Sequence, residues 1–569
     1  MSSIHGIMFN YKVNNKADRS INREWYEKFN FVNDAGHTEN GIYALRANLG
    51  YNEMTFESLK EFRSIRSPLT GHAEARLNPQ GVLMSNGPLG SGLPQAQGLS
   101  IADKIIGNDR ITFCVISDAG LMEGEAKESL AVIPGLAKKN RLNPFVMVIS
   151  FNNKKLSGII DNDAYSIVPT LDSLKTLGWK LLYIEDGHNL QETYLQIEKA
   201  VELSKKKGGL LPVAIIAKTI KGYGTKKTAA DITGAHAFPL KRGDKNLVEF
   251  VEEILVNSGG LSSYPELKKM VEDVLAEGAS VVTPPLTTYF TSSFVKLQKG
   301  ISSAIIKAAE ESLPVYSVCA DLQNSTGMKE FHQKFPNNFI EVGVAEANMI
   351  STAAGLSRSG FIPIVDTFTQ FGVSKGKLPI IMSQLSLAPI IAVFSHAGLQ
   401  DAGDGASHQA TTYIAALSGI PNVDLVCCSC VKEVEAFMYQ AIKRFALVQQ
   451  NNKPQNINKD NGKHIDNTNN TVIFFIGRED FPLYHQENVD YVLGYPYEIN
   501  NLMNTNVNPN NNSKENADLS ADLLIVATGP MVGEALCAQK ILLSKNIKAR
   551  LINNPFVNHP NVEIIAKAL

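Results

Sequence analysis

The chain is poor in cysteine, nearly balanced in charge and free of long apolar runs, and each shortage excludes something. Six cysteines among 569 residues cannot build a disulfide framework. Cys427, Cys428 and Cys430 cluster behind the apolar run Val423 to Val426 but have no matching distal Cys/His group. They are read as core thiols rather than a zinc site. A formal net charge of −2 gives no overall attraction to nucleic acid or to an anionic membrane surface. Membrane spans need roughly 20 apolar residues. Pro379 to Phe394 comes nearest, and Ser383, Gln384, Ser386 and Pro389 interrupt it. The opening residues lack the apolar core of a signal peptide. The expectation is a soluble cytoplasmic protein that binds neither nucleic acid nor membrane. A hydrophobic content of 44% suffices for several domains with large cores.

What is present centres on Arg110 to Gly158. Ile111, Phe113, Val115 and Ile116 form an apolar run that stops at Ser117-Asp118-Ala119-Gly120. A helical pattern follows from about Met122 to Lys138, and then a second run, Phe145 to Ile149, stops at Phe151-Asn152-Asn153. Parallel strands joined by a helical crossover usually lie side by side. Asp118 and Asn152 are therefore expected to emerge together at the carboxyl edge of a sheet, where ligands bind. Their oxygens suit Mg²⁺ or Ca²⁺, and the Ala119 and Gly120 amides ahead of a helix suit a phosphate. Taken alone, the residues leave two readings open: a metal carrying a diphosphate, or an ordinary crossover with polar strand ends.

Polar loops recur at other strand ends. Residues 1–245 read as one α/β unit, with His37 ahead of a helix, a short helix over 55–65, the loop Gly87 to Gly92 and a late loop holding His236. Two charged amphipathic helices, near Leu247–Val256 and Pro265–Glu277, read as a connector. A second α/β unit runs over 286–485, its strands ending at Gly343 to Glu346, Thr367 to Gly372 and His396 to Ala410. Asn-rich tracts interrupt the chain near 449–470 and 498–516 and are expected to be solvated loops. From Ala521 a new βαβ pattern begins, too short for an independent sheet of this type.

The ordered series of motifs resembles the transketolase family over nearly the whole chain. It comprises GPLGSG at 87–92, SDAGLMEG at 117–124 with Asn152 beyond, and KTIKGYGT at 218–225. EVGVAEANM at 341–349, DTFTQF at 366–371 and SHAGLQDAGDGASHQ at 395–409 continue it. The resemblance implies tandem thiamine-diphosphate-binding parallel-sheet α/β domains with an incomplete third α/β domain. It assigns a diphosphate-binding domain to 1–245, a helical linker to 246–285 and a pyrimidine-binding domain to 286–485 with the insertion 449–470. A linker at 486–520 and a partial C-terminal domain at 521–569 complete it.

The same resemblance implies thiamine diphosphate and Mg²⁺, with Ca²⁺ or Mn²⁺ as substitutes, held at the interface of a homodimer that acts on sugar phosphates. Asp118 and Asn152 match the metal's side-chain ligands, and Lys154 supplies a carbonyl. Gly87, Leu89, Ala119, Gly120 and Asn152 match the cofactor loops. Glu346 matches the acid that bonds N1′ of the aminopyrimidine, and Phe368 and Phe371 its aromatic clamp. His37, His72, His236 and His408 match the catalytic histidines, and Asp404 a binder of sugar hydroxyls. His396, Ser325 and Arg478 match the phosphate end of the channel. The implied activity is transfer of a two-carbon ketol unit from a ketose phosphate to an aldose phosphate through a thiamine diphosphate ylid, in the pentose phosphate pathway. A 1-deoxyxylulose-5-phosphate synthase-like enzyme and a transketolase-like binding or scaffold protein are the alternatives.

Three departures stand out. Ser117 and Ala119 occupy positions where the family has glycines, so Ala119 must have a negative φ for the turn to survive. Gln298 replaces an arginine that helps hold the phosphate. The chain is expected to begin where the family's opening helix and its further histidine loop have already ended.

Overall fold

The computed structural model describes residues 1–10, 25–51, 54–65, 67–78, 81–206, 211–234, 236, 240, 243–277, 294–401, 403–451, 470–482, 491–499 and 521–567. The Asn-rich stretches at 449–470 and 498–516 lie almost wholly outside them. The chain divides into two compact units. One comprises Met1–Val281, Val342–Ala345 and Ala402–His408; the other comprises Val282–Glu341, Glu346–Asp401 and Gln409–Leu569.

The first unit is built on five strands: β1 (Phe29–Asn33), β2 (Ile111–Ser117), β3 (Phe145–Phe151), β4 (Lys180–Ile184) and β5 (Val213–Lys218). Their order is β1-β2-β3-β5-β4, and every pairing is parallel. β1 and β2 are buried along their whole lengths, and β2 accordingly reads as a near-continuous apolar run. Alternate residues of β2 feed opposite cores. Cys114 and Ile116 pack with Leu130, Ile149 and Trp179, whereas Ile111, Phe113 and Val115 pack with Ile4, Phe29 and Ile197.

Two boundaries depart from the sequence reading. The helix after β2 starts at Gly124, because Gly120–Met122 forms a 3₁₀ turn first. The helix expected over 55–65 is only Phe56–Lys60, capped by the Thr55 hydroxyl on Ser58 N–H. Arg63 takes φ 63, a left-handed conformation that a helix cannot continue through. The helices Leu247–Ile254 and Pro265–Glu277 are grouped with this first unit.

The second unit begins with β6 (Phe294–Lys296), followed by β7 (Val315–Cys319), β8 (Phe339–Glu341), β9 (Ile362–Phe368) and β10 (Ile391–Ser395). Next come β11 (Val423–Cys427), β12 (Thr471–Phe475), β13 (Asp480–Pro482), β14 (Tyr497–Glu498), β15 (Leu523–Ala527) and β16 (Ala549–Asn553). A six-stranded sheet, β11-β12-β10-β9-β7-β8, is parallel throughout. β6 pairs antiparallel with β13.

A small third sheet, β14-β16-β15, holds the expected βαβ element, with the helix Met531–Ser544 between β15 and β16. It docks on the larger sheet where Cys427 N–H donates to Pro555 at 2.9 Å and Asn558 Nδ2 donates to Val423 at 2.6 Å. Cys428 and Cys430 are buried in the cores on either side of this junction. The architecture is thus α/β, with parallel-sheet units in tandem and a minor third sheet. Among the described residues, no helix is long and apolar enough to cross a membrane.

Candidate active site

β2 and β3 run side by side, with Ser117 opposite Ser150, so the residues after them leave the same edge. Asp118 is fully buried there. Its Oδ1 accepts Ala119 N–H at 2.9 Å, and its Oδ2 accepts the N–H groups of Asn152 at 2.8 Å and Asn153 at 2.6 Å. Asn153 adopts φ 58 at this turn, a conformation asparagine tolerates. A carboxylate offers about four acceptor directions, so these three donors leave one for a cation. Asn152 Oδ1 accepts Lys154 N–H at 3.0 Å and keeps a second lone pair.

The Lys154 ammonium holds the carbonyls of Ala229 at 3.1 Å and Asp231 at 2.7 Å, and the Lys221 ammonium holds that of Lys155 at 3.1 Å. These two lysines tie the Asn152 loop to the chain beyond β5. Burial pushes the Asp118 carboxyl up to about 6, while its N–H donors and Lys221 pull the other way. A divalent cation favours the ionised form, so the oxygens of Asp118, Asn152 and Lys154 fit a hard ion. Among the described residues, no His/Cys/Asp/Glu cluster supplies three metal-binding side chains, and a cation here would depend on the amide and carbonyl donors.

The lost glycines do not strain this turn. Ala119 has φ −62, within the ordinary helical region, and Ser117 Oγ accepts Gly120 N–H at 3.0 Å.

Asp34, at the end of β1, was not found from the sequence. Its buried carboxylate accepts Gly90 N–H at 3.1 Å and Gly92 N–H at 2.7 Å. It therefore caps the helix Gly92–Ile106 from another strand, since the local N-cap Ser91 makes no side-chain cap bond. Gly90 has φ 83, and a Cβ there would strike Glu123, so the loop admits only glycine at this point. Leu89 packs against the core that holds Ala119 and Met122. A Cβ on Gly87 would strike the Ser407 side chain, so the loop lies tightly against residue 407.

A buried network then links the two early histidine loops. Glu39 Oε1 accepts Asn33 at 2.8 Å and Asn86 at 2.7 Å, and Asn86 Oδ1 accepts Ala73 N–H at 2.8 Å. Four histidines of the first unit, His37, His72, His236 and His408, gather beside it. The His37 and His236 rings are 4.8 Å apart, and the His72 and His408 rings stack at 4.3 Å. Burial, reinforced by neighbouring His236 and Lys221, holds His37 well below the usual imidazole range. Burial and Lys221 lower His236 to about 3, and burial lowers His72. His72 Nδ1 lies 2.9 Å from the Asp404 carbonyl. A carbonyl only accepts, so Nδ1 carries the proton and the neutral ring presents Nε2 as an acceptor. Arg63, also missed from the sequence, pairs with the Asp404 carboxylate at 2.9 Å.

In the second unit, Glu346 is buried as the first residue of the helix Glu346–Arg358. Its Oε2 has no hydrogen-bond partner among the described residues, and Lys375 Nζ stands 4.0 Å away. A buried carboxylate oxygen so placed fits a protonated ring nitrogen. The Phe368 and Phe371 rings lie 6.0 Å apart, and His396, at φ 58 after β10, packs on Phe368 at 3.9 Å. Arg478, after β12, is ion-paired with Asp401. Ser325 stands on the short helix Gln323–Thr326, which packs against β9 and β10.

Comparison with known proteins bears on what this arrangement is. A family model described as the transketolase, thiamine diphosphate binding domain matches residues 1–251, and one described as the transketolase, pyrimidine binding domain matches residues 294–449. The chain is 23% identical to the transketolase of Bacillus subtilis (strain 168) and 25% identical to that of Geobacillus stearothermophilus. Each comparison covers 94% of this chain and 80% of the relative. It is 27% identical to transketolase-like protein 2 of Mus musculus, over 69% of this chain and 60% of that protein. The solved transketolase from Leishmania mexicana matches with a TM-score of 0.38 and 20% identity, over 98% of this chain and 83% of that one. The two family matches follow one another and together take in well over half of the sequence, so the chain belongs to the transketolase family.

Proposed function

We propose that the chain transfers a two-carbon ketol unit from a ketose phosphate to an aldose phosphate, as a cytoplasmic homodimer in the pentose phosphate pathway. Asp118, Asn152 and the Lys154 carbonyl would hold Mg²⁺, and a diphosphate on that ion would lie against the Gly87–Gly90 loop and the turn at Ala119 and Gly120, whose own amides are already bonded to Asp118 Oδ1 and Ser117 Oγ. Thiamine diphosphate bound there supplies an electron sink for the carbanion left when a ketose is cleaved.

The rest falls to the protein's own groups. Glu346 Oε2 holds a proton against the aminopyrimidine ring nitrogen, with Phe368 and Phe371 flanking the ring. His37, His72 and His236 are kept neutral by burial, so at pH 7 they accept rather than repel a proton. His72 Nε2 takes the proton of a sugar hydroxyl while Nδ1 stays fixed on Asp404. His408, stacked on His72, shares that role, and Asp404 orients a hydroxyl next to Arg63.

The observation that carries the reading is the pairing of His37 with His236 and of His72 with His408, with Lys221 acting on His37, His236 and the Asp118 carboxyl alike. One site thus combines proton transfer with a cation-binding edge. The test is an assay of xylulose 5-phosphate with ribose 5-phosphate, thiamine diphosphate and Mg²⁺. Ketol transfer is expected; its absence from folded, cofactor-bound protein sinks the reading. Release of CO₂ from pyruvate in the presence of glyceraldehyde 3-phosphate would instead favour the synthase-like enzyme.

A further inference from the structure

The turn between β4 and the helix Leu190–Lys205 meets the chain that leaves β5. Gly187 N–H donates to the Lys218 carbonyl at 2.8 Å, and a Cβ on Gly187 would strike that same carbonyl, so the turn lies close against the end of β5. His188 N–H donates to Asp186 Oδ1 at 3.0 Å, which fixes the backbone under the ring. The ring reaches across in two ways. Its Nε2 stands 2.8 Å from Ile220 N, and its face stacks on Tyr223 with the centroids 3.7 Å apart. A backbone N–H only donates, so Nε2 accepts and the neutral ring carries its proton on Nδ1.

The residue after Ile220 is Lys221. Thr219 N–H donates to the Phe151 carbonyl at 2.9 Å, continuing the β3–β5 ladder, and Tyr223 N–H donates to the Ile220 carbonyl at 3.1 Å. Between these two bonds the chain leaves the sheet, and His188 holds the amide directly before Lys221. Lys221 in turn donates to the Lys155 carbonyl at 3.1 Å and acts on His37 and His236. A cation fixed near two imidazoles disfavours their protonated forms.

An imidazolium has no lone pair, so protonating Nε2 sets a donor against Ile220 N–H and the bond is lost. The groups facing the ring are Asp186 on its own turn and Tyr223 on the chain after β5; Glu185 and Lys218 beside them pair with each other at 2.5 Å. Burial holds the His188 imidazole below its ordinary 6.5, against the pull of Asp186. The bond is therefore intact at pH 7 and above and is lost as the pH falls through a value below 6.5.

We infer that His188 is a positioning residue: its neutral ring anchors the turn that carries Lys221 beside His37 and His236, and protonating the ring releases the anchor. The consequence for turnover rests on the ketol-transfer reading above; the anchor itself does not.

Hydrogen exchange and NMR test it on the full chain supplied with thiamine diphosphate and Mg²⁺. After correction for intrinsic exchange, the wild type should protect the Ile220 amide about fivefold more at pH 7.5 than at pH 5, the contribution of one neutral hydrogen bond. His188→Gln offers an oxygen that does not titrate and should keep the protection at both pH values. His188→Phe keeps a ring on Tyr223 without an acceptor and should show the lower protection at both. Its His236 ring should also titrate at a higher pH than in the wild type, which a packing role alone would not cause. The same pH dependence of protection in wild type and His188→Gln overturns the inference, and so does an unchanged His236 titration in folded His188→Phe. Ketol transfer is measured separately and should fall more steeply towards pH 5 in the wild type than in His188→Gln. No turnover in any form, with the exchange and NMR differences as expected, would sink the ketol-transfer reading and leave the anchor standing.

Discussion

The Asp34 carboxylate accepts the Gly92 amide at 2.7 Å, so a residue at the end of β1 caps a helix that starts 58 positions later. The same carboxylate holds Gly90 N–H, and with these two bonds it shapes the loop that carries Leu89. Asp34→Ala leaves two buried amides without their acceptor. Charge-assisted bonds of this kind contribute about 1.5–3 kcal/mol each. Since the two share one carboxylate, a loss of about 3 kcal/mol is expected in urea unfolding. Asp34→Asn keeps one acceptor oxygen and should lose less. A loss below about 0.5 kcal/mol in the alanine variant would show that the cap is not holding the loop.

Ala119 provides a test in the opposite direction. With φ −62 it has no need of a glycine's freedom. Ala119→Gly should therefore leave thiamine diphosphate affinity within twofold and destabilise the fold by about 0.4–1 kcal/mol, through the entropy of the unfolded chain. A gain in affinity of tenfold or more, measured by calorimetry, would mean that the methyl group obstructs the cofactor.

How much was legible beforehand depended on where each residue's partners lie. β2 and β3 could be read from the sequence because parallel strands buried on both faces leave apolar runs that stop at polar groups. Asp118 and Asn152 could be placed together for the same reason. Asp34, Arg63 and Asp401 could not. Their partners are 56, 341 and 77 residues away, and no local pattern marks an aspartate or arginine whose role is to hold a distant amide or charge. Arg63 also ended a helix that propensity would have continued to 65, because its pairing with Asp404 goes with a left-handed backbone. Gln298 was visible as a departure, but its bond to the Gly477 carbonyl, 179 residues away, was not.

The roles proposed for Asp118 and Glu346 separate experimentally. Asp118→Ala should weaken binding of thiamine diphosphate with Mg²⁺ by at least tenfold, because the buried carboxylate at the cation edge is gone. Glu346→Gln keeps the shape of the helix start and a hydrogen-bonding group, so the cofactor should bind within a few-fold of the wild type while ketol transfer falls by a hundredfold or more. Calorimetry and the sugar phosphate assay together decide the matter. Equal affinity in Asp118→Ala removes the metal assignment, and undiminished turnover in Glu346→Gln removes the proton role.

The last prediction concerns the junction of the third sheet. Glu433 is fully buried, and its Oε2 accepts Ser429 N–H at 2.6 Å and Ser429 Oγ at 2.7 Å. Its Oε1 accepts Asn553 Nδ2 at 2.9 Å, which ties the helix after β11 to the end of β16. Burial raises this carboxyl to about 7 despite those donors. The facing groups add no compensating charge: burial also raises Cys427, Cys428 and Cys430, and Tyr491 is shifted up as well. The folded protein therefore holds a proton that the unfolded chain releases near the ordinary value of 4.5. Stability from this group is fully present below that value and is lost as the pH rises through about 7, by an amount on the order of 3 kcal/mol. Hydrogen exchange of the β15 and β16 amides should accordingly speed up between pH 5 and pH 8 beyond the intrinsic increase. Glu433→Gln should flatten that dependence, and it can be accommodated because Asn553 Oδ1, which lacks a partner among the described residues, accepts from the new amide once Asn553 turns over. The same pH dependence in wild type and variant would place the titrating group elsewhere.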